Sequence, residues 1–205
     1  MSKALLSLAL IVSSLVGSAC SAKESGQEGR SGNWKSGGQG SPALEACRKR
    51  VSEHPADAEA QNDLGWALRQ NEDLKGAESS LRQSVKLNGN LAYSHSNLSV
   101  VLLDQGQKEE ALAEAQKAVV LDAKQPIYHV VLGNAMSANG DAKNAIGEYK
   151  TAIAFRPDYE NAYYNLGRVL DIDGQATEAK VVLSQALNLD PQDTRVVKLL
   201  DQLMK

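Results

Sequence analysis

Residues 160–193, ENAYYNLGRVLDIDGQATEAKVVLSQALNLDPQD, contain the pattern on which the interpretation of the chain depends. The Leu166-Gly167 pair in this stretch recurs upstream at intervals of 34 residues, as Leu132-Gly133, Leu98-Ser99 and Leu64-Gly65. An alanine follows each pair at a constant distance: Ala77, Ala111, Ala145 and Ala179. Self-similarity at such a period is typical of stacked repeat architectures, in which each unit buries its apolar face against the next.

Two further places in each repeat keep their residue type. The first holds a mostly large side chain: Leu81, Ala115, Tyr149 and Leu183. The second holds a small one: Ser84, Ala118, Ala152 and Ala186. Between the two apolar segments lies a turn residue, which is Gly106, Gly140 and Gly174 in the last three repeats and Glu72 in the first. Each repeat is therefore predicted to form two amphipathic helices joined by a tight turn.

These places resemble the tetratricopeptide repeat (TPR), whose pattern is W-x2-L-G-x2-Y, then A, then A-x3-F-x2-A, then P. The resemblance covers residues 43–205. It implies an all-α fold, a right-handed α-solenoid of helix-turn-helix repeats with a C-terminal capping helix. The expected parts are a half repeat at 43–57, repeats at 58–91, 92–125, 126–159 and 160–193, and the capping helix at 194–205.

The two cysteines of the chain fall in different parts of it. Cys47 lies in the half repeat, at the place of the large side chain, and is expected to act as a small buried apolar residue. A disulfide to Cys20 is the alternative, and it requires that Cys20 be retained without a lipid.

The N-terminus is predicted to be an export signal, residues 1–19. Lys3 precedes an apolar run from Ala4 to Val16, which is shorter than the roughly 20 residues of a membrane span. The sequence VGSAC at 16–20 resembles the lipobox of bacterial lipoproteins and implies lipidation of Cys20, although Gly17 stands where Leu is usual. Simple secretion after cleavage by an ordinary signal peptidase, and an uncleaved anchor, are the alternatives.

Residues 20–42 are predicted to be the lipidated cysteine and a flexible linker. Between Ser21 and Pro42 the chain has six Gly and five Ser, with Trp34 as the single large apolar residue. Such a coil spans about 25 Å on average. The resemblance, with Ser21 after the cysteine, implies a location in the bacterial envelope, at the periplasmic face of the outer membrane.

The charge and motif content argue against catalysis and nucleic-acid binding. The net charge is −3, which leaves no basic excess for phosphate contacts. We find no nucleophile elbow, P-loop, HExxH or CxxC motif, so no enzyme, cofactor, metal or small-molecule substrate is predicted. His95 and His129 occupy equivalent places in neighbouring repeats, about 10 Å apart by helix packing, and are interpreted as packing residues.

The resemblance implies that the first helix of each repeat lines a concave groove for a protein or peptide ligand. The expected groove residues are Asn62, Trp66, Tyr93, Asn97, Val100, Ile127, Val130, Asn134, Tyr164, Asn165 and Arg168. Val100 and the neighbouring Val131 are also compatible with packing between helices. The Lys and Arg places of a known carboxylate clamp in this family carry Asn62, Trp66, Asn97, Ile127 and Val131 here, which favours a partner helix or an extended segment with apolar anchors.

Two functions remain open on these grounds. The architecture of signal, linker and TPR repeats resembles the pilot and assembly lipoproteins of pili, which implies a non-enzymatic scaffold for a pilus or secretion machine. The alternative is an adaptor that recruits cell-wall or polysaccharide enzymes.

Overall fold

The structure is a computed structural model that describes residues 41–204, and these residues form helices joined by short turns. The predicted all-α fold class is confirmed. Within residues 41–204 no helix has both the length and the apolar character needed to cross a membrane. The predicted signal peptide, Cys20 and nearly all of the linker lie outside the described residues. The chain separates into two compact units at residues 90 and 91.

The described part of the first unit contains three helices. They are α1 (Pro42–Glu53), α2 (Ala58–Gln70) and α3 (Leu74–Leu87). Helix α2 packs against both α1 and α3. Each helix begins at a capping side chain, Ser41, Asp57 or Asp73, whose oxygen accepts a hydrogen bond from a backbone N–H of the first turn.

The described part of the second unit contains seven helices. They are α4 (Ala92–Asp104), α5 (Lys108–Leu121), α6 (Pro126–Ala138), α7 (Ala142–Phe155), α8 (Glu160–Ile172), α9 (Ala176–Leu189) and α10 (Thr194–Leu203). Helix α10 is capped by Asp193, whose Oδ1 accepts from the Arg195 backbone N–H at 2.8 Å.

The helices of the second unit form two layers. Helices α4, α6, α8 and α10 contact one another in that order, and each of α5, α7 and α9 packs against the helices before and after it in the chain. The first helices of successive repeats therefore lie side by side. This places their exposed side chains on one continuous face of the unit.

Close helix crossing explains the Leu-Gly pairs of the sequence. A Cβ atom on Gly133 would lie 2.7 Å from Tyr149 Cε1, and one on Gly167 would lie 2.5 Å from Leu183 Cγ. Both distances are below van der Waals contact, so only glycine permits these crossings without a shift. Ser99 takes the equivalent place in α4, and its Oγ donates to the Ala111 carbonyl oxygen at 2.8 Å.

The turns between paired helices use the left-handed backbone region. Gly106, Gly140 and Gly174 have φ angles of 78°, 83° and 80°, and Glu72 adopts 64° at the equivalent place in the first unit. The first repeat therefore keeps the turn conformation without the glycine that makes it inexpensive.

Cys47 is buried in the first unit, with 3% of its surface exposed. Its expected burial on α1 is confirmed. The thiol is not free in the structure, however, because Cys47 is disulfide-bonded.

Candidate functional site

The predicted groove residues of the second unit lie on α4, α6 and α8. We use the name candidate groove for their half-buried members: Tyr93, Asn97, Val100, Ile127, Asn134, Tyr164, Asn165 and Arg168. These side chains alternate aromatic, aliphatic and amide groups on three helices that contact one another in sequence. Such a surface offers apolar anchors and hydrogen-bonding groups to one ligand.

Two predicted groove residues lie in less accessible positions. Val130 is 4% exposed and belongs to the core that includes Tyr149 and Leu166. The assignment of Val130 to the groove is therefore corrected, because its side chain contributes to helix packing. Asn62, in the first unit, is 7% exposed. The packing alternative holds for Val131, which is also buried, while Val100 is half-buried against the same cluster.

A polar network connects three helices within the candidate groove. The Tyr149 hydroxyl of α7 donates to Asn134 Oδ1 of α6 at 2.8 Å and accepts a hydrogen bond from the Arg168 guanidinium of α8. Burial raises the pKa of the Tyr149 hydroxyl, against the opposing effect of Arg168, so the phenol remains protonated and able to donate.

Asn165 presents the opposite polarity to a ligand. Its Nδ2 donates to the Asn161 carbonyl oxygen on the preceding turn of α8 at 2.9 Å. Its Oδ1 is therefore the atom available as an acceptor, whereas Tyr149 engages Oδ1 of Asn134 and leaves Nδ2 of that residue as a donor. Neighbouring helices α6 and α8 thus offer one donor amide and one acceptor amide.

The capping helix adds a residue that the sequence analysis missed. The guanidinium of Arg195 lies 4.8 Å from the centroid of the Tyr164 ring, and its Nη2 donates to Asn161 Oδ1 at 2.9 Å. The same Nη2 also donates to Asp193 Oδ2 at 2.7 Å, and the neighbouring Nε donates to Asp193 Oδ1 at 3.1 Å. The sequence could have indicated this contact, because Arg195 follows Asn161 by the repeat period of 34 residues and so occupies the equivalent place on the next helix.

The first unit presents a separate aromatic surface. Trp66 on α2 is 37% exposed, and the Arg69 guanidinium lies 4.9 Å from its ring centroid. On the same helix, Asp63 forms an ion pair with Arg50 of α1 at 2.8 Å. Burial raises the pKa of Asp63 to about 6, and the charge of Arg50 opposes this rise.

The histidines at equivalent places are each paired with a glutamate. His95 Nδ1 lies 2.5 Å from Glu114 Oε2, and His129 Nδ1 lies 2.7 Å from Glu148 Oε2. Both rings are buried, as expected of packing residues. Residues 41–204 contain no cluster of three or more histidine, cysteine or carboxylate ligands placed to hold a metal.

Family profiles match most of the chain. Three profiles, each described as "Tetratricopeptide repeat", match residues 38–92, 91–121 and 136–203. The human "Protein O-mannosyl-transferase TMTC1" is 26% identical over 160 residues, which is 76% of this chain and 18% of that protein. The chain therefore spans less than a fifth of the length of this relative.

Solved structures share the fold. TTC0263, a thermophilic TPR protein of Thermus thermophilus, superposes with a TM-score of 0.70 at 21% identity, covering 79% of this chain and 89% of that one. PilF of Pseudomonas aeruginosa gives a TM-score of 0.68 at 17% identity, covering 79% and 74%. Together with the profiles and the glycine-spaced helix pairs, these similarities show that the chain belongs to the tetratricopeptide-repeat family, a fold that serves as a scaffold for protein–protein interaction.

Proposed function

We propose that this protein is a non-enzymatic scaffold anchored in the bacterial envelope, where it acts as an assembly or pilot factor for a pilus or secretion machine. The observation that carries the scaffold role is the candidate groove, with its aromatic rings and amides of opposite polarity on adjacent helices. The pilus or secretion role is supported by the resemblance of the signal–linker–repeat architecture to pilus-assembly lipoproteins and by the fold shared with PilF.

The partner is proposed to bind along the candidate groove as a helix or an extended segment. Tyr93 and Tyr164 supply apolar anchors of a type that dominates interface energies. Asn134 and Asn165 supply hydrogen bonds to a peptide backbone. The likeness to an O-mannosyl-transferase covers a small part of that protein, and we propose no transferase activity for this chain.

In-cell crosslinking followed by mass spectrometry tests this function. The full-length protein is compared with a Tyr93→Ala, Tyr164→Ala variant and with a control, Val120→Ala, Val181→Ala, which changes exposed apolar residues of α5 and α9. We expect pilus, secretin or secretion components to be captured by the wild type and the control and lost from the groove variant. Loss of cell-wall or polysaccharide enzymes instead would favour the adaptor function. Capture of the same partners by all three proteins would show that the partner does not bind through Tyr93 and Tyr164 of the candidate groove.

The proposed anchor is a lipid on Cys20. Lipidation and a disulfide at this residue are mutually exclusive, because both consume the same thiol and the chain has two cysteines in all. In the lipidated protein Cys47 therefore has no other cysteine of its own chain to pair with. Intact-mass spectrometry of protein from membranes should show a diacylglyceryl-modified Cys20 and one thiol that alkylates after denaturation. An unlipidated mature chain without a free thiol would establish secretion without an anchor.

A further inference from the structure

The Tyr149 hydroxyl lies between a donor, the Arg168 guanidinium, and an acceptor, Asn134 Oδ1. The hydroxyl oxygen accepts from Arg168, which can only donate. The phenolic proton must then go to an acceptor, and Asn134 Oδ1 receives it at 2.8 Å. This fixes the orientation of the half-buried Asn134 amide, because Oδ1 is engaged by the hydroxyl and Nδ2 is left as the atom that can donate to a ligand.

Arg168 is a half-buried cation without a neutralising partner in the described part of the protein. Its contact there is the neutral Tyr149 hydroxyl, and no carboxylate of residues 41–204 forms an ion pair with it. Arg195, on the next helix of the same layer, shows the contrast, since Asp193 neutralises it at 2.7 Å. Partly desolvating a guanidinium without an anion is unfavourable, so an anionic ligand would gain from binding beside Arg168.

The Asn134 amide and the Arg168 guanidinium lie close together. Asn134 Oδ1 and a nitrogen of Arg168 both contact the same hydroxyl oxygen, which places them within about 6 Å of each other. A planar group with two acceptor oxygens fits between an amide N–H and a guanidinium. We propose that Asn134 and Arg168, held by Tyr149, form a binding site for a carboxylate of the peptide partner.

This site deepens the proposed function and rests on it, since it names the chemistry of the ligand. The proposed site is separate from the known carboxylate clamp of the family. None of its residues is among the clamp places, which are Asn62, Trp66, Asn97, Ile127 and Val131 here. Tyr149 is a positioning residue, because it acts on the ligand through the orientation of Asn134 and Arg168. The carboxylate can come from a chain terminus or from an Asp or Glu side chain, and the experiment separates these sources.

The test uses the full chain and three short Ala/Leu peptides, all acetylated at the N-terminus. One has a central Asp and an amidated C-terminus, the second has Asn in place of Asp, and the third has Asn and a free C-terminal carboxylate. Binding is measured by titration with NMR detection of the side-chain N–H signals of Asn134 and Arg168. We expect at least one carboxylate peptide to bind about tenfold or more tightly than the neutral peptide, with both signals shifting. The peptide that does so identifies the source.

Four variants test which residues cause the preference for the charged peptide. Arg168→Met retains most of the stem and removes the charge, and Asn134→Asp replaces the donor with a carboxylate that pairs with Arg168. Both should abolish the preference for the charged peptide. Tyr149→Phe keeps the buried ring and should reduce the preference. Arg48→Met, which changes a half-exposed arginine of α1, should leave it unchanged.

Equal binding of the charged and neutral peptides would overturn the carboxylate site, as would a preference that survives in Arg168→Met. The absence of any shift at Asn134 and Arg168 would do the same. The crosslinking result on Tyr93 and Tyr164 is independent of these outcomes. A groove that captures its partner but shows no carboxylate preference would therefore leave the proposed function standing and remove this inference alone.

Discussion

His95 and Glu114 form a buried contact between the paired helices α4 and α5, with Nδ1 and Oε2 separated by 2.5 Å. Lys117 donates to the other oxygen of the same carboxylate at 2.8 Å. Burial alone would raise the pKa of Glu114, but the hydrogen bonds from Lys117 and His95 outweigh it and lower the pKa. One repeat later, His129 and Glu148 make the corresponding contact between α6 and α7 at 2.7 Å.

Replacing Glu114 should destabilise the second unit. In Glu114→Gln the amide can accept one of the two hydrogen bonds, and its NH2 group faces the other donor, so we expect a loss of about 1–3 kcal/mol in the free energy of unfolding. Because the folded-state pKa of Glu114 is lowered, its contribution is present above its ordinary pKa of 4.5 and is lost as the pH falls through the folded value. The difference from wild type, measured by urea unfolding, should therefore shrink in acid. Glu109→Gln, on the exposed face of α5, is the control and should change stability by less than about 0.5 kcal/mol.

Asp63 should give the first unit a stability that falls with rising pH. Its folded-state pKa of about 6 lies above the ordinary value of 3.8, so the folded state binds the proton more tightly. Between these two values, rising pH ionises the unfolded state first and lowers the free energy of unfolding, by on the order of 2–3 kcal/mol. In Asp63→Asn this part of the pH dependence should disappear from urea titrations at pH 4 to 7, whereas Asp201→Asn on α10 should retain it. An unchanged pH profile in Asp63→Asn would contradict the assignment.

The turn at Glu72 offers a stabilising substitution. Glu72 adopts a φ of 64°, which is unfavourable for a residue with a Cβ atom. Glu72→Gly should raise the free energy of unfolding by about 0.5–1 kcal/mol, since the relief of strain exceeds the added entropy of the unfolded chain. The reverse change at the equivalent turn, Gly106→Glu, should lower it by about 1 kcal/mol. Equal effects of the two changes would show that this backbone conformation is not the cause.

Two glycines of neighbouring helices should respond in opposite ways to alanine. Gly133→Ala places a Cβ 2.7 Å from Tyr149 Cε1 in a filled interface and should destabilise by about 1–3 kcal/mol. Gly147 lies on α7 with open space around the added atom, so Gly147→Ala should stabilise by about 0.5–1 kcal/mol through helix propensity. Thermal and urea unfolding measure both. Destabilisation by Gly147→Ala would contradict the open space that the structure shows around an added Cβ at this position.

The repeat fold was predictable because its signal is steric and local. Leu-Gly pairs such as Leu132-Gly133 mark helix crossings that exclude a Cβ, and the small residues and turn glycines recur at the same period. The fold class followed from these rules. The sequence showed that Glu72 replaces the turn glycine. It did not show whether the turn keeps its left-handed conformation there, because that depends on how the two flanking helices pack.

The candidate groove was only partly predictable, because position on a helix does not determine burial. Val130 and Asn134 lie one turn apart on α6, yet Val130 is in the core and Asn134 is half-buried beside Tyr149. The repeat pattern does not determine which atom of an amide side chain can bind a ligand. For Asn134 this depends on the hydroxyl of Tyr149, which lies on another helix. Arg195 was missed because the groove was taken from the repeats alone and the capping helix was assigned only a packing role.

The two-layer contact pattern of the second unit also bears on how such an array can change in evolution. Each repeat touches only its neighbours along the chain, so duplication of 34 residues copies one complete interface and disturbs none of the others. The array can lengthen in single steps at a repeat boundary that no ligand contact crosses, whereas a repeat inserted between Asn134 and Arg168 would separate these two residues. The number of repeats can therefore change in evolution separately from the residues with which each repeat contacts a ligand.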